Sequence, residues 1–359
     1  MGTLPPMRPW QDCVQRQWAR GIVAPMADST MRVLSGIQPS GALHLGNYFG
    51  AIQQHIELQT RYPGECLFFI ADYHALTTLR DPAALRQNVL EVAIAYLSVG
   101  LDPDKALLFR QSDVPEVLEL SWLLATVTGM GLLERAHSYK DKLAHGIKPN
   151  VGLFTYPILM ASDILVYRAN VVPVGKDQVQ HVEMAQDMAT YFNQTFPADP
   201  HVLRRPEALL SATPYVPGLD GRKMSKSYGN TIPMFAHGKT LRKLVAQIVT
   251  DSTPLGQALA MERCNVFGLL RLLLPVEQLA QVETWYRTGQ REGAAFGYGH
   301  AKQLLVEQLE QRFSHARAKR EALLVAREEV EHVLVRSAQR ARSIARETMA
   351  AARSACGLC

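Results

Sequence analysis

The chain has 359 residues, 47% of them hydrophobic and 20% charged, and a formal net charge of +5. This composition is typical of a soluble globular protein with a sizeable core, and no uninterrupted apolar run is long enough to cross a bilayer. The five cysteines are odd in number and scattered, which disfavours a disulfide framework and fits the reducing cytoplasm. We therefore expect no membrane association, and the mild positive charge is compatible with a polyanionic partner.

The first 30 residues differ from the rest of the chain. They contain several prolines and three arginines, with no helical or strand period. A secretory signal needs an apolar core that this stretch lacks, and a transit peptide avoids the acids that it contains. We predict a disordered N-terminal extension at residues 1–30, or upstream sequence with the true start at Met26 or Met31.

From residue 31 onward, short apolar runs alternate with helical patterns. We predict strands at residues 32–37, 66–71, 106–110 and 171–174. We predict helices at residues 47–59, 81–98, 113–124, 152–166 and 181–196. Repeated strand–helix units at these spacings predict an α/β fold with a doubly wound, Rossmann-like parallel sheet over residues 31–215.

The second half of the chain follows a different pattern. Residues 197–214 look like a linker, and residues 216–230 form a loop made bendable by a proline and two glycines. Strands then disappear, so we predict an all-helical second domain at residues 231–359, whose end can pack back on the first domain. From about residue 303 arginines outnumber acids. Ion pairs between residues four apart on a solvated helix face explain part of this charge. The excess of positive charge is a candidate footprint for nucleic acid.

The stretch at residues 35–48 places a strand, a glycine-containing turn and a helix start in that order. Backbone N–H groups at such a turn point to one place, where a phosphate can bind. Gly46 allows a ligand to approach the backbone closely, and His44 and Asn47 share one face of the first helical turn. Taken alone, the pattern also fits a capped helix start with a surface histidine.

A second motif, Lys223-Met224-Ser225-Lys226-Ser227, lies in the loop at residues 216–230. Its two lysines are flanked by serines with no acid between them, which favours phosphate contact over solvated surface charge. The pair of motifs resembles the HIGH motif and the KMSKS loop of class I aminoacyl-tRNA synthetases.

A third feature is an acid inside an apolar helical stretch. Asp163 follows Met160 by three residues and Tyr156 by seven, so one helix face carries all three. Most acids in such helices face solvent, and that remains the alternative here. An apolar wall with one buried acceptor suits a large apolar ligand that has one polar N–H.

Together with residues 72–77, 155–167, 172–181 and 221–230, these motifs make the chain from residue 31 to about residue 349 resemble the bacterial-type tryptophanyl-tRNA synthetases. The resemblance implies that ATP, with Mg²⁺, activates L-tryptophan to tryptophanyl-adenylate. The tryptophanyl group then passes to the 3′ end of tRNA(Trp). It also implies a homodimer, and the scattered cysteines favour a cytoplasmic protein.

The resemblance implies roles for individual residues as well. It assigns catalysis to His44, Asn47, Lys223 and Lys226. It assigns ATP binding to Gln38, Pro39, Ser40, Gly46, Asn47, Gly175, Lys176, Asp177, Val216, Lys223, Met224, Ser225, Lys226 and Ser227. It assigns tryptophan binding to Asp163, Met160, Tyr156, His74 and Gln178. No metal ion held by the protein's own side chains is expected.

Three other functions stay open on the sequence. A tyrosyl-tRNA synthetase would share the two signature motifs. A nucleotidyltransferase of the same superfamily would leave the arginine-rich C-terminus and the Asp163 stretch without a purpose. A non-catalytic RNA-binding paralogue would most simply show the loss of His44, Asn47, Lys223 or Lys226, and all four are present.

Overall fold

The computed structural model describes residues 31–136, 150–198, 200–210 and 215–358. The predicted N-terminal extension, residues 1–30, lies outside the described part. Among the described residues, no helix is both long and apolar enough to cross a membrane.

Five parallel strands form the central sheet. They are β1 (Val33–Ile37), β2 (Cys66–Ile70), β3 (Ala106–Arg110), β4 (Val171–Val174) and β5 (Glu207–Leu210), in the order β3-β2-β1-β4-β5. From β1 the chain adds β2 and β3 on one side, and then returns to add β4 and β5 on the other side. This arrangement confirms the predicted doubly wound sheet, and the direction of winding reverses between β1 and β4.

Helices occupy most of the remaining chain. In order they are α1 (Leu45–Asn47), α2 (Gln53–Arg61), α3 (Asp72–Ala75), α4 (Pro82–Ser98), α5 (Glu116–Val127), α6 (Met130–Glu134), α7 (Val151–Leu165), α8 (Val179–Thr195), α9 (Gly238–Ala246), α10 (Asn265–Leu273), α11 (Val276–Thr288), α12 (Tyr298–Val325) and α13 (Arg327–Ala355). A π-helical turn at Tyr48–Ile52 lies between α1 and α2, and single 3₁₀ turns occur at Gln111–Asp113, Lys176–Gln178 and Lys226–Tyr228.

Two predictions about strands were wrong. Residues 197–214 are not only a linker, because β5 lies within them and pairs with β4 from Val171↔Glu207 to Val174↔Leu210. This edge strand is exposed at both ends and half-buried between them, so it has no apolar run to reveal it. A small antiparallel pair, β6 (Gln290–Arg291) with β7 (Ala294–Ala295), also interrupts the region predicted to be free of strands.

The described residues fall into two compact units. The sheet unit contains residues 31–42, 54–210 and 320–358 with the gaps given above, and the helical unit contains residues 43–53 and 215–319. The predicted domain boundaries, at residues 31, 216 and 231, follow the chain rather than these units and stay a prediction.

The core of the sheet unit lies between the sheet and the helices that cover it. Strands contribute buried side chains such as Leu107 and Phe109, and α13 contributes a row of small residues that includes Ala341 and Ala345. Small side chains allow α13 to lie close to β3 and α5, which are its main neighbours. The last long helix therefore belongs to the fold of the sheet unit.

Ion pairs connect α13 to the rest of the sheet unit. Arg342 Nε lies 2.8 Å from Glu116 Oε1, and Arg346 Nε lies 3.2 Å from the same oxygen. Arg353 and Arg336 pair with Glu119 and Asp104 in the same way. Three acids thus face these four arginines and offset most of their charge within the protein, so the arginines are a weaker footprint for nucleic acid than the sequence indicated.

The helical unit has its own aromatic core. Tyr286 packs against Phe267 and Phe296 with ring centroids 5.0 and 5.7 Å apart, and all three side chains are fully buried. These rings come from α10, α11 and the segment before α12, which they hold together.

A histidine without access to solvent lies in the sheet unit. His55 Nδ1 is 2.9 Å from Tyr96 Oη, and the ring stacks on Phe68 with centroids 4.6 Å apart. Burial lowers the pKa of His55 to about 3, because charging the ring would remove a cation from water.

This histidine should make the protein less stable in mild acid. The folded state keeps His55 neutral, whereas the unfolded chain takes up a proton near the ordinary histidine pKa of about 6.5. Stability is therefore present above this pH and is lost as the pH falls toward 3, by about 2 kcal/mol between pH 7 and pH 5. Urea unfolding of wild type and His55→Phe at both pH values measures this contribution. An equal loss of stability in the two proteins would contradict it.

Candidate active site

The helical unit contains the turn that begins α1. The backbone N–H of His44 donates to Asn47 Oδ1 at 3.0 Å, so the asparagine side chain closes the first turn. The His44 ring is buried and its Nδ1 has no hydrogen-bond partner among the described residues. Burial, and secondarily the charge of Lys226, lower the pKa of His44 to about 4. The imidazole is therefore neutral at pH 7.

Backbone hydrogen bonds join this turn to the segment after the 216–230 loop. The N–H of Leu45 donates to the carbonyl of Ile232 at 2.9 Å, and the N–H of Met234 donates to the carbonyl of Leu43 at 3.0 Å. These bonds form an antiparallel bridge between His44 and Pro233. Two motifs far apart in the chain are thus held together inside one unit, as a shared phosphate site requires.

Met224 makes a further contact between the two motifs. Its side chain is only 4% exposed, and its Sδ accepts the N–H of Gly46 at 3.3 Å. A Cβ at Gly46 would lie 2.8 Å from the His44 ring and 3.3 Å from Met224 Cβ, so only glycine fits here. Val216 is also buried, and its carbonyl accepts the N–H of Met224 at 2.8 Å.

The lysines and serines of the second motif lie on the outside of the same loop. Lys223, Lys226 and Ser227 are exposed, and Ser225 is half-buried before the 3₁₀ turn at Lys226–Tyr228. Partial burial lowers the pKa of Lys226. The motif therefore carries two accessible lysines, and Lys226 is close enough to influence the His44 ring.

The sheet unit contains the buried acid. Asp163, on α7, is 1% exposed, so the solvent-facing alternative is excluded. Its Oδ2 lies 2.9 Å from His74 Nε2, and both of its oxygens lie 2.8 Å from Gln111 Nε2. Burial raises the pKa of the carboxyl, and the hydrogen bonds from His74 and Gln111 oppose this rise.

Gln111 was not predicted from the sequence. It begins the 3₁₀ turn directly after β3, and its Oε1 accepts the N–H of Tyr73 at 3.1 Å. Both ends of its amide are thus used, which fixes the Nε2 that faces Asp163. Its position just beyond the carboxyl end of a parallel strand was the available signal.

A cavity of about 400 Å³ lies beside two predicted tryptophan-binding residues, His74 and Tyr156. Their rings meet edge to face with centroids 6.4 Å apart, and Tyr156 Oη lies 2.6 Å from His181 Nε2. Asp163 does not line the cavity, although its partner His74 does. Met160 is half-buried against the core of the sheet unit.

Two groups of predicted ATP-binding residues follow neighbouring strands. Gln38, Pro39 and Ser40 come directly after β1, and residues 175–177 come directly after β4, followed by the predicted tryptophan-binding residue Gln178. Because β1 and β4 are parallel neighbours, both groups lie at the same edge of the sheet, where its winding reverses. Gln178 Nε2 donates to Asp177 Oδ2 at 2.8 Å, and a Cβ at Gly175 would lie 2.8 Å from Asp177 Oδ1.

The predicted residues are therefore divided between the units. The helical unit holds His44, Gly46, Asn47, Val216, Lys223, Met224, Ser225, Lys226 and Ser227. The sheet unit holds Gln38, Pro39, Ser40, His74, Tyr156, Met160, Asp163, Gly175, Lys176, Asp177 and Gln178.

Comparisons with known proteins agree on one family. Residues 26–314 match the family described as tRNA synthetases class I (W and Y). The tryptophan–tRNA ligase of Rhodopirellula baltica is 48% identical over 91% of this chain and 100% of its own length, and that of Fusobacterium nucleatum is 48% identical over 91% and 98%. A crystal structure of the tryptophanyl-tRNA synthetase from Campylobacter jejuni, complexed with ADP and tryptophan, aligns with a TM-score of 0.82. It is 46% identical and covers 91% of this chain and 100% of that one. The chain belongs to the tryptophanyl-tRNA synthetases of class I.

Proposed function

We propose that this protein is the ligase that joins L-tryptophan to tRNA(Trp). It activates tryptophan with ATP to tryptophanyl-adenylate, releases diphosphate, and transfers the tryptophanyl group to the 3′ end of the tRNA with release of AMP. Membership of the family over nearly the whole chain supports this function. The structural observation that supports tryptophan as the amino acid is the buried carboxylate of Asp163.

This carboxylate suits the recognition of an indole N–H. An ionised carboxylate offers about four lone-pair sites, and the hydrogen bonds from His74 and Gln111 leave it with acceptor capacity. We assign the indole N–H to Asp163, with Met160, Tyr156, His74 and Gln178 as the other residues of the pocket. Phenylalanine has no donor for this acceptor, so its binding would leave part of a buried polar site unsatisfied.

At the triphosphate of ATP, the protein has to supply positive charge rather than a nucleophile. The tryptophan carboxylate itself attacks the α-phosphorus, so the protein has to orient ATP and neutralise the charge that builds on the diphosphate. We assign this work to Lys223 and Lys226, and Asn47 closes the turn beside them. His44 is neutral at pH 7, so it can hydrogen-bond a phosphate without adding charge.

The remaining ATP-binding residues keep the roles that the family resemblance implies. In the sheet unit these are Gln38, Pro39, Ser40, Gly175, Lys176 and Asp177. In the helical unit they are Gly46, Val216, Met224, Ser225 and Ser227. Val216 and Met224 are buried, so their contribution would come from backbone atoms and packing.

Magnesium fits this scheme as a partner of ATP. Among the described residues, no group of three or more His, Cys, Asp or Glu side chains could hold a metal ion. Phosphate oxygens are the ligands that Mg²⁺ prefers, so the ion would arrive on the triphosphate. When bound it would neutralise phosphate charge beside the two lysines.

Exchange of labelled diphosphate into ATP tests the activation step directly. Exchange that depends on tryptophan, and not on tyrosine, is expected from the purified protein. Charging of tRNA with labelled tryptophan then tests the transfer step. Exchange with tyrosine alone would identify the tyrosyl enzyme, and absence of exchange with either amino acid would contradict catalysis.

Removing Lys226 should impair activation more than amino-acid binding. Lys226→Ala deletes a cation that stabilises the developing diphosphate charge, so the rate of adenylate formation should fall about 100-fold or more. The affinity for tryptophan, measured by equilibrium dialysis, should stay within about twofold. Lys239→Ala removes an exposed lysine of the same unit outside the loop and is the matched control. Unchanged exchange in Lys226→Ala would remove this lysine from the site.

We propose further that the enzyme is a cytoplasmic homodimer, in keeping with its role in translation. An apolar surface of the sheet unit supports the dimer. Trp122 is 71% exposed, and Leu118 lies four residues earlier on the same face of α5 and is also exposed. Leu118 lines the cavity beside His74 together with the exposed Leu76. Monomers rarely leave large apolar patches uncovered, so these exposed side chains support an interface here.

A charge placed on this surface should weaken the dimer. Trp122→Glu removes the largest exposed ring and adds a carboxylate that would have to be desolvated on association. Light scattering after gel filtration should show a dimer for wild type and mostly monomer for the variant at micromolar concentration. Among the described residues the helical unit has no exposed tryptophan, so the control is Val249→Glu, which changes an exposed apolar residue of that unit. A dimer that survives Trp122→Glu would place the interface elsewhere.

A further inference from the structure

The loop at residues 216–230 is organised around one buried amide side chain. Asn230 is 3% exposed, although most of the residues before it in the loop are exposed or half-buried. Its Oδ1 accepts the N–H of Ser225 at 2.8 Å, and its Nδ2 donates to the carbonyl of Lys223 at 3.2 Å. One side chain therefore holds the backbone on both sides of Met224.

The same amide also holds the first half of the loop. Asn230 Nδ2 donates to Asp220 Oδ1 at 2.7 Å, and the carbonyl of Asn230 accepts the N–H of Leu219 at 3.0 Å. A Cβ at Gly218 would lie 2.2 Å from Asn230 Nδ2, so the backbone approaches this amide as closely as only glycine allows. Gly229, with φ of 62°, makes the turn that brings the chain back to Asn230.

The hydrogen bonds of Asn230 hold the part of the loop that contacts the turn at the start of α1. The backbone held by Asn230 runs from Lys223 to Ser225, and the residue between them is Met224. Met224 in turn accepts the N–H of Gly46 through its sulfur. Exposed lysine side chains are mobile by nature, so the direction in which Lys223 and Lys226 point depends on how firmly this backbone is held.

We propose that Asn230 is a positioning residue for ATP: its amide fixes the backbone of residues 223–225 and so directs Lys223 and Lys226 toward the triphosphate. This proposal rests on the proposed phosphate-binding role of the loop and names the side chain that gives the loop its shape. Because Asn230 is buried, we assign it no direct contact with substrate. Its effect on the reaction passes through the two lysines.

Asp220 makes an informative partner for a test. The hydrogen bond from Asn230, followed by the contacts with Arg222, holds the pKa of this carboxyl at about 2. Asp220 is therefore ionised throughout the neutral range. Replacing the Asn230 amide by a carboxylate would set two like charges face to face at the distance of a hydrogen bond.

The first measurement is ATP affinity in the absence of tryptophan. Calorimetric titration with an ATP analogue that has a non-hydrolysable α,β bridge should show about 10-fold weaker binding by Asn230→Ala. Adenylate formation should slow by about 100-fold, because misplacing a charged group by about 1 Å costs this much. Tryptophan affinity should not change, since Asn230 and the residues it holds belong to the helical unit and Asp163 to the sheet unit.

The matched control is an asparagine that holds backbone elsewhere. Asn193 donates to the carbonyl of Leu203 at 2.7 Å and accepts its N–H at 3.1 Å, within the sheet unit. Asn193→Ala should lower the melting temperature as much as Asn230→Ala, without changing ATP affinity. Equal loss of stability with no change of ATP affinity or rate in Asn230→Ala would overturn the proposal.

A rescue experiment separates positioning from a general loss of structure. Asn230→Asp should bind the ATP analogue even more weakly than Asn230→Ala, because the new carboxylate repels Asp220. Adding Asp220→Asn to this variant places an amide donor at residue 220 opposite the new carboxylate at residue 230. The double variant should recover about 10-fold in affinity for the ATP analogue. No recovery in the double variant would count against Asn230 acting through this contact. Because the readout is ATP binding, it stands apart from the tryptophan-dependent exchange that tests the proposed function.

Discussion

A carboxylate enclosed in the sheet unit is the constraint on which the proposed site depends. Burying an ion without partners is far too costly for a folded protein, so the oxygens of Asp163 require donors that are themselves held in place. His74 follows β2, Gln111 follows β3, and Asp163 comes from α7. Parallel strands bring their carboxyl ends to one edge, and this topology is what allows three distant segments to meet at one acid.

In the proposed function, the helical unit holds positive charge where a phosphate can reach it. Backbone bonds join residues 43–45 to residues 232–234, and the sulfur of Met224 adds a contact to Gly46. The charged ends of the lysines remain exposed, while the backbone that carries them is fixed by a buried amide. A rigidly held loop backbone with accessible lysine side chains suits a reaction in which negative charge builds on the departing diphosphate.

Much of this structure could be predicted from the sequence, and the failures have physical causes. Strands β1 to β4 are apolar runs, and the apolar helix face that Asp163 shares with Tyr156 and Met160 indicated the buried acid that the structure shows. The edge strand β5 was missed because it is only half-buried. Gln111 and Asn230 were missed because an uncharged amide has no periodic pattern, and its importance comes only from what surrounds it.

The charge of α13 shows a second limit of sequence reasoning. Arg342 meets Glu116, which lies 226 residues earlier in the chain, so no local pattern could reveal the pair. A surplus of arginine looked like a surface for nucleic acid, and part of it stabilises the fold. Net charge alone therefore says little about where tRNA binds.

The most direct test of the central claim compares two ligands that differ at one atom group. Equilibrium dialysis of the wild-type protein should be carried out with tryptophan and with its benzothiophene analogue, in which sulfur replaces the indole N–H. If Asp163 accepts this N–H, tryptophan should bind about 100-fold more tightly or better, and Asp163→Ala should lose most of that preference. Equal affinity of the wild-type protein for the two ligands would show that the buried carboxylate does not select the amino acid.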